Sequence, residues 1–206
     1  MWQTGLRKAS LLTFLIASVF AISYLYFSSQ AQNSASYGVP VLASGMALPD
    51  FTLIDQDLRE FSLHTARGRV VLIFFGYASC PDLCPEVLSK YAVLDKMLGE
   101  KAGEVVMIFV TTDPSRDNPR ALKELVSRYG GRIVALTGDW EELKDVWLRY
   151  HVVSGDVQPP ATTNNYFVSH SAVVYVADRE LVLRYILTPE MPVERYYEAV
   201  YSLLGR

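Results

Sequence analysis

The sequence predicts an α/β protein with a mixed central sheet flanked by helices on both faces, preceded by an N-terminal transmembrane helix. Three observations lead there. Two continuous apolar runs, "RVVLIFFGY" from Arg69 and "VVMIFVTT" from Val105, have the Val, Ile and Phe content of strands buried on both faces. Each is followed by a segment with a helical apolar period, the alternation that a parallel crossover requires. Finally, "SLLTFLIASVFAISYLYF", Ser10 to Phe27, carries no charge over 18 residues, enough to cross a bilayer once.

Arg7 and Lys8 precede the charge-free run and hold its N-terminal end in the cytosol, so the remainder is exported. Tyr24, Tyr26 and Phe27 form an interfacial aromatic end. An uncleaved anchor is favoured over a signal peptide cut after Ser29-Gln30-Ala31, because the run is longer than a usual signal core. Residues 1–9 are then a cytosolic N-terminus, 10–27 the anchor, 28–44 a tether rich in Ser, Ala, Gln and Asn, and 45–206 the folded domain.

With 206 residues, 50% apolar and 20% charged, the chain has the composition of a globular protein. Its net charge is -3 and its Lys and Arg are dispersed, which argues against a nucleic-acid partner. No internal repeat is present.

The elements follow in order. "FTLIDQDLREFSL" has two alternating runs about a polar centre and predicts a hairpin. After the first buried strand, Val87, Tyr91, Leu94 and Leu98 mark one face of a helix. After the second, "DNPRALKELVSRYGG" is a helix with Asn118 as N-cap, Pro119 at its first position and Gly130 and Gly131 beyond its end. "IVALTG" is a short strand. Asp139, with Glu142 three residues on, then caps a helix whose apolar face is Trp140, Leu143, Trp147 and Tyr150. "VVSGDVQPPATTNN", 152–165, is long for a connection, and functional loops are often of that kind. "SAVVYVAD" and "LVLRYIL" form an antiparallel hairpin about Arg179 and Glu180, and "MPVERYYEAVYSLL" closes the chain as an amphipathic helix.

Both cysteines, Cys80 and Cys84, lie in "YASCPDLCPEVL", where a buried strand gives way to a helix at the carboxyl edge of the sheet, the usual place for an α/β ligand site. Their loop is too short for a disulfide to staple a chain of this size. On a helix start, thiols four residues apart face one side, and the dipole there favours thiolate. Pro85 suits the first helical position. The Cys-x-x-x-Cys spacing is one residue wider than that of thioredoxin-type oxidoreductases, which leaves both a redox-active pair and a metal site open.

Of the three histidines, His64 reads as a surface residue and His151 as a charge complement at a helix end. His170, between the long loop and a strand, is the candidate third ligand. Two thiolates and an imidazole suit copper(I) or zinc. A closed structural zinc site would want a fourth Cys or His, and none is evident.

These residues resemble the Sco/SenC proteins, membrane-anchored copper-binding proteins of thioredoxin-like fold. The resemblance spans most of residues 46–204. It rests on "GYASCPDLCPEVL", with "FTLID" and "RGR" before it and "VTTDPSRDNP" and "VSHSAVVYVAD" after it, in the family's order. It implies that Cys80, Cys84 and His170 bind copper, as Cu(I) or Cu(II). It further implies delivery to the CuA centre of cytochrome c oxidase subunit II, with other copper chaperones or thiol reductants as further partners. Some members instead reduce cysteines of that subunit, which would make Cys80 and Cys84 a catalytic redox pair. A sensor that signals through a partner is a third option, while the peroxiredoxin Pro-x-x-x-Thr-x-x-Cys arrangement is missing. Asp82 and Asp113 match acidic positions of the family, Asp82 as a tuning or partner-facing group or a helix-dipole complement, Asp113 as a turn cap. Ser169 stands where the family usually has Asp, which bears on partner recognition and the copper(II) form. The expected location is the cell inner membrane, single-pass, with the domain facing the periplasm.

Overall fold

The structure is a computed structural model that describes residues 19–23, 39–40, 45–130, 132–152 and 172–205. The chain divides into two units, Met1–Tyr37 and Gly38–Arg206. In the first, residues 19–23 are helical and exposed, and the rest of the predicted anchor lies outside the described residues. Among the described residues no helix is long and apolar enough to cross a membrane.

In the second unit the described strands are β1 (Val39–Pro40), β2 (Met46–Ala47), β3 (Thr52–Asp55), β4 (Glu60–Ser62), β5 (Val70–Gly76), β6 (Val105–Thr111), β7 (Ile133–Thr137), β8 (Val174–Ala177) and β9 (Val182–Leu187). The helices are α1 (Leu83–Leu98), α2 (Pro119–Ser127), α3 (Trp140–Arg149) and α4 (Val193–Leu204). The strands form one sheet in the order β1-β9-β8-β5-β6-β7-β3-β4, with β2 also on β9. Strands β5, β6 and β7 run parallel, and antiparallel pairs extend the sheet on both sides, so it is mixed.

Both apolar runs are central strands, buried at every position, and their alternation divides two cores. Val70, Leu72 and Phe74 of β5 and Val105, Met107 and Phe109 of β6 pack on one face with α1, α2 and α4. Val71, Ile73 and Phe75, with Val106, Ile108 and Val110, pack on the other with α3 and Phe51 and Leu53. Helices therefore cover both faces, as strands without a polar side require. On α1 the predicted stripe of Val87, Tyr91, Leu94 and Leu98 is buried. Asn118 accepts the Ala121 N–H through Oδ1 at 3.0 Å, which satisfies one of the free amides of α2. Asp139 and Glu142 form a reciprocal capping box on α3. The face of α3 differs in detail: Leu143, Val146 and Trp147 are buried whereas Trp140 is half-exposed, stacked edge-on against Trp147.

Candidate metal centre

Strands β5 and β6 are paired in register from Val70 with Val105 to Gly76 with Thr111, so their carboxyl ends lie side by side. The Thr112 N–H donates to the Gly76 carbonyl at 2.7 Å and extends that pairing one residue further. Two loops leave from this point, the Cys loop after β5 and the Asp113–Asn118 loop after β6.

The Cys loop departs from the sequence expectation in one respect. Helix α1 begins at Leu83, so Cys84 is its second residue and Cys80 precedes it in an irregular turn. Pro85 accordingly occupies the third helical position rather than the first, where its lack of an N–H is still harmless because the first four amides have no partner within the helix. The helical spacing does not bring the thiols together. The turn does: the Cys80 N–H donates to the Tyr77 carbonyl at 3.1 Å and folds the chain back over Cys84.

Cys80 and Cys84 are both thiols, not joined in a disulfide, and are hydrogen-bonded to one another. Both are buried, Cys84 at 1% exposure more deeply than Cys80 at 9%. The Cys84 thiol is pushed far above the ordinary thiol range, first by its hydrogen bond with Cys80 and then by burial, against the pull of a hydrogen bond from the Tyr77 backbone N–H. The expected dipole-stabilised thiolate is thus outweighed, because a buried second sulfur beside it disfavours the negative charge.

Close approach of the thiol to the sheet depends on Gly76. A Cβ there would lie 2.5 Å from Cys84 Sγ and 3.1 Å from ring atoms of Phe109 and Phe74. Opposite the Cys loop, Asp117 is 1% exposed, and its Oδ2 accepts both the Ala78 N–H at 2.9 Å and the Thr111 hydroxyl at 2.7 Å. Burial raises its carboxyl to about 6, opposed by the bonds from Thr111 and Ala78. Asp113, also buried, is ion-paired through its side chain with Arg116, and its backbone carbonyl accepts the Arg116 and Asp117 amides. The Arg116 guanidinium in turn lies 5.7 Å from the centre of the Tyr77 ring. Tyr129 titrates above its ordinary range, chiefly through burial, and feels both cysteine sulfurs.

The other sequence candidates separate. Asp82 is exposed at the N-cap of α1 and makes no side-chain capping bond. His64 and His151 are both exposed, and among the described residues no three His, Cys, Asp or Glu side chains gather as a metal site. His170 and Ser169 lie outside the described residues. Asp117 and Gly76 were not picked out from sequence, although both stand in quoted stretches, Asp117 in "VTTDPSRDNP" and Gly76 at the head of "GYASC".

Two adjacent soft sulfur donors suit a soft cation such as copper(I). The same pair suits a two-electron dithiol–disulfide couple.

Comparison with known proteins is in accord with this chemistry. The family model described as SCO1/SenC matches residues 43–205. The chain is 31% identical to protein sco1 of Schizosaccharomyces pombe, covering 87% of this chain and 71% of that protein. It is 35% identical to a SCO2-like protein of Rickettsia prowazekii, over 63% of each. The structure of Bradyrhizobium japonicum ScoI with copper bound superposes with a TM-score of 0.69 at 29% identity, covering 78% of this chain and 99% of the other.

Proposed function

The chain belongs to the SCO1/SenC family, and from that premise we propose that it is a membrane-anchored copper metallochaperone with a thioredoxin-like domain. Residues 10–27 anchor it in the inner membrane, 28–44 tether it, and 45–206 face the periplasm. One copper is bound through Cys80, Cys84 and His170 and handed by ligand exchange to the CuA site of cytochrome c oxidase subunit II. Copper reaches the site from another chaperone, and a thiol reductant keeps the pair reduced. The carrying observation is the buried pair of mutually bonded thiols at the carboxyl end of β5. A copper-bound relative that aligns over most of the domain supports it.

Soft thiolates hold copper(I). Copper(II) would take a more tetragonal set with a water or a carboxylate added, and Ser169 leaves that carboxylate to another residue.

A second reading, a thiol-disulfide oxidoreductase acting on oxidase cysteines, is favoured by the hydrogen bond between the two thiols, which sets them in reach of disulfide closure. Copper stoichiometry and absorption of the reduced full-length chain, beside Cys80→Ser and His170→Ala, separate the two. The chaperone gives one copper per chain and thiolate-to-copper(II) charge-transfer bands that vanish in both variants. Wild-type binding by His170→Ala removes the three-ligand site, and no bound copper with intact disulfide reduction transfers the assignment to the oxidoreductase.

A further inference from the structure

Successive amides of the Cys loop are shared between the two halves of the site. The Tyr77 N–H serves the Cys84 sulfur, the next one, on Ala78, donates to Asp117 Oδ2, and the Tyr77 carbonyl accepts the Cys80 N–H. The Tyr77–Ala78 peptide, whose carbonyl holds Cys80 and which adjoins the amide that serves Cys84, is therefore held from outside the loop by one carboxylate. That carboxylate is itself fixed: Thr111 at the end of β6 donates to the same oxygen, the Asp117 N–H donates to the Asp113 carbonyl at 2.9 Å, and Asn118 next to it caps α2.

We propose that Asp117 is a positioning residue for the dithiol: by gripping the Ala78 N–H it sets the Tyr77–Cys80 turn, and with it the separation of Cys80 and Cys84 on which disulfide closure and metal capture both depend. This rests on Cys80 and Cys84 being the working pair of the proposed function. Asp117 touches neither metal nor substrate and acts through the backbone. A buried carboxylate costs free energy that an apolar residue would not, and its two bonds both converge on the β5 and β6 ends, where it constrains the Cys loop.

The test is the equilibrium of the Cys80–Cys84 couple with dithiothreitol in the full chain. The protein disulfide breaks, two thiols form, and dithiothreitol closes to its cyclic disulfide, two electrons and two protons passing between them. Asp117→Asn keeps an oxygen acceptor without the charge, and Asp117→Leu removes both. Loss of a buried acceptor for an amide and a hydroxyl should shift the constant in Asp117→Leu by about 10- to 100-fold, while Asp117→Asn stays within about threefold of wild type. A constant for folded Asp117→Leu within threefold of wild type overturns the proposal. So does an equal shift in both variants, which would assign the effect to charge. Should Asp117→Leu fail to fold, Thr111→Val, which frees Asp117 from its second partner, must shift the constant in the same direction by about threefold or more; no shift overturns it. The couple is read without copper, so absence of copper binding by wild type would refute the chaperone and leave this result standing.

Discussion

Replacing Gly76 by alanine tests the packing of the site most directly. The backbone there is ordinary strand, so the substitution meets no conformational penalty and its effect is steric. The new Cβ would lie 2.5 Å from Cys84 Sγ and 3.1 Å from Phe109 and Phe74. Non-bonded heavy atoms settle at about 3.5–4.0 Å, so the sulfur must retreat by about 1 Å or more. Cys84 is enclosed by the core of α1 and β5, and over-packing of such a site costs about 1–3 kcal/mol. For a chain of this size that corresponds to a fall in Tm of about 2–4 °C per kcal/mol. Thermal unfolding followed by circular dichroism measures it, with Gly205→Ala, which meets nothing within 4 Å, as the control expected to be neutral. The decisive comparison is a double-mutant cycle with Cys84→Ala. Once the sulfur is gone, Gly76→Ala should cost at least about 1 kcal/mol less than in the wild-type background. An equal cost in both backgrounds would refute the claim that the glycine is there to admit the thiol.

Two further outcomes follow from the carboxylates of the second loop. Burial raises the Asp117 carboxyl from the ordinary 3.8 to about 6 in the folded protein. Below 3.8 both states are protonated and nothing is lost. Between 3.8 and 6 only the folded state keeps the proton, so stability falls as pH rises, and above 6 the whole cost of about 3 kcal/mol is present. Denaturant unfolding at pH 4 to 7 should show wild type losing stability relative to Asp117→Asn over that window, and parallel pH profiles would rule the assignment out. Arg116→Ala breaks the ion pair of the buried Asp113 carboxylate and removes the cation beside Tyr77, for a loss of about 3 kcal/mol in urea unfolding. A loss below about 0.5 kcal/mol would show the pair to be ornamental.

By itself the sequence determined what depends on near neighbours. The doubly buried strands β5 and β6, the stripe on α1, the Asn118 cap and the Asp139–Glu142 box each need only the side-chain period or residues three to four positions apart. The placing of Cys80 and Cys84 at a strand end also came from that local pattern. Its mechanism did not, since a 3.6-residue period assumes a helix that begins only at Leu83. Tertiary structure alone decided how the thiols meet, through a turn whose Ala78 amide is held by a carboxylate 39 residues away. It alone decided that the Cys84 thiol is pushed up rather than dipole-stabilised, because its hydrogen bond with Cys80 and its burial outweigh the helix end. It also decided that the hairpin of β3 and β4 joins the sheet through β7, and that Gly76 is required by a sulfur rather than by a turn. Each of these depends on which distant groups share one desolvated space, and a window of neighbouring residues contains no information about that.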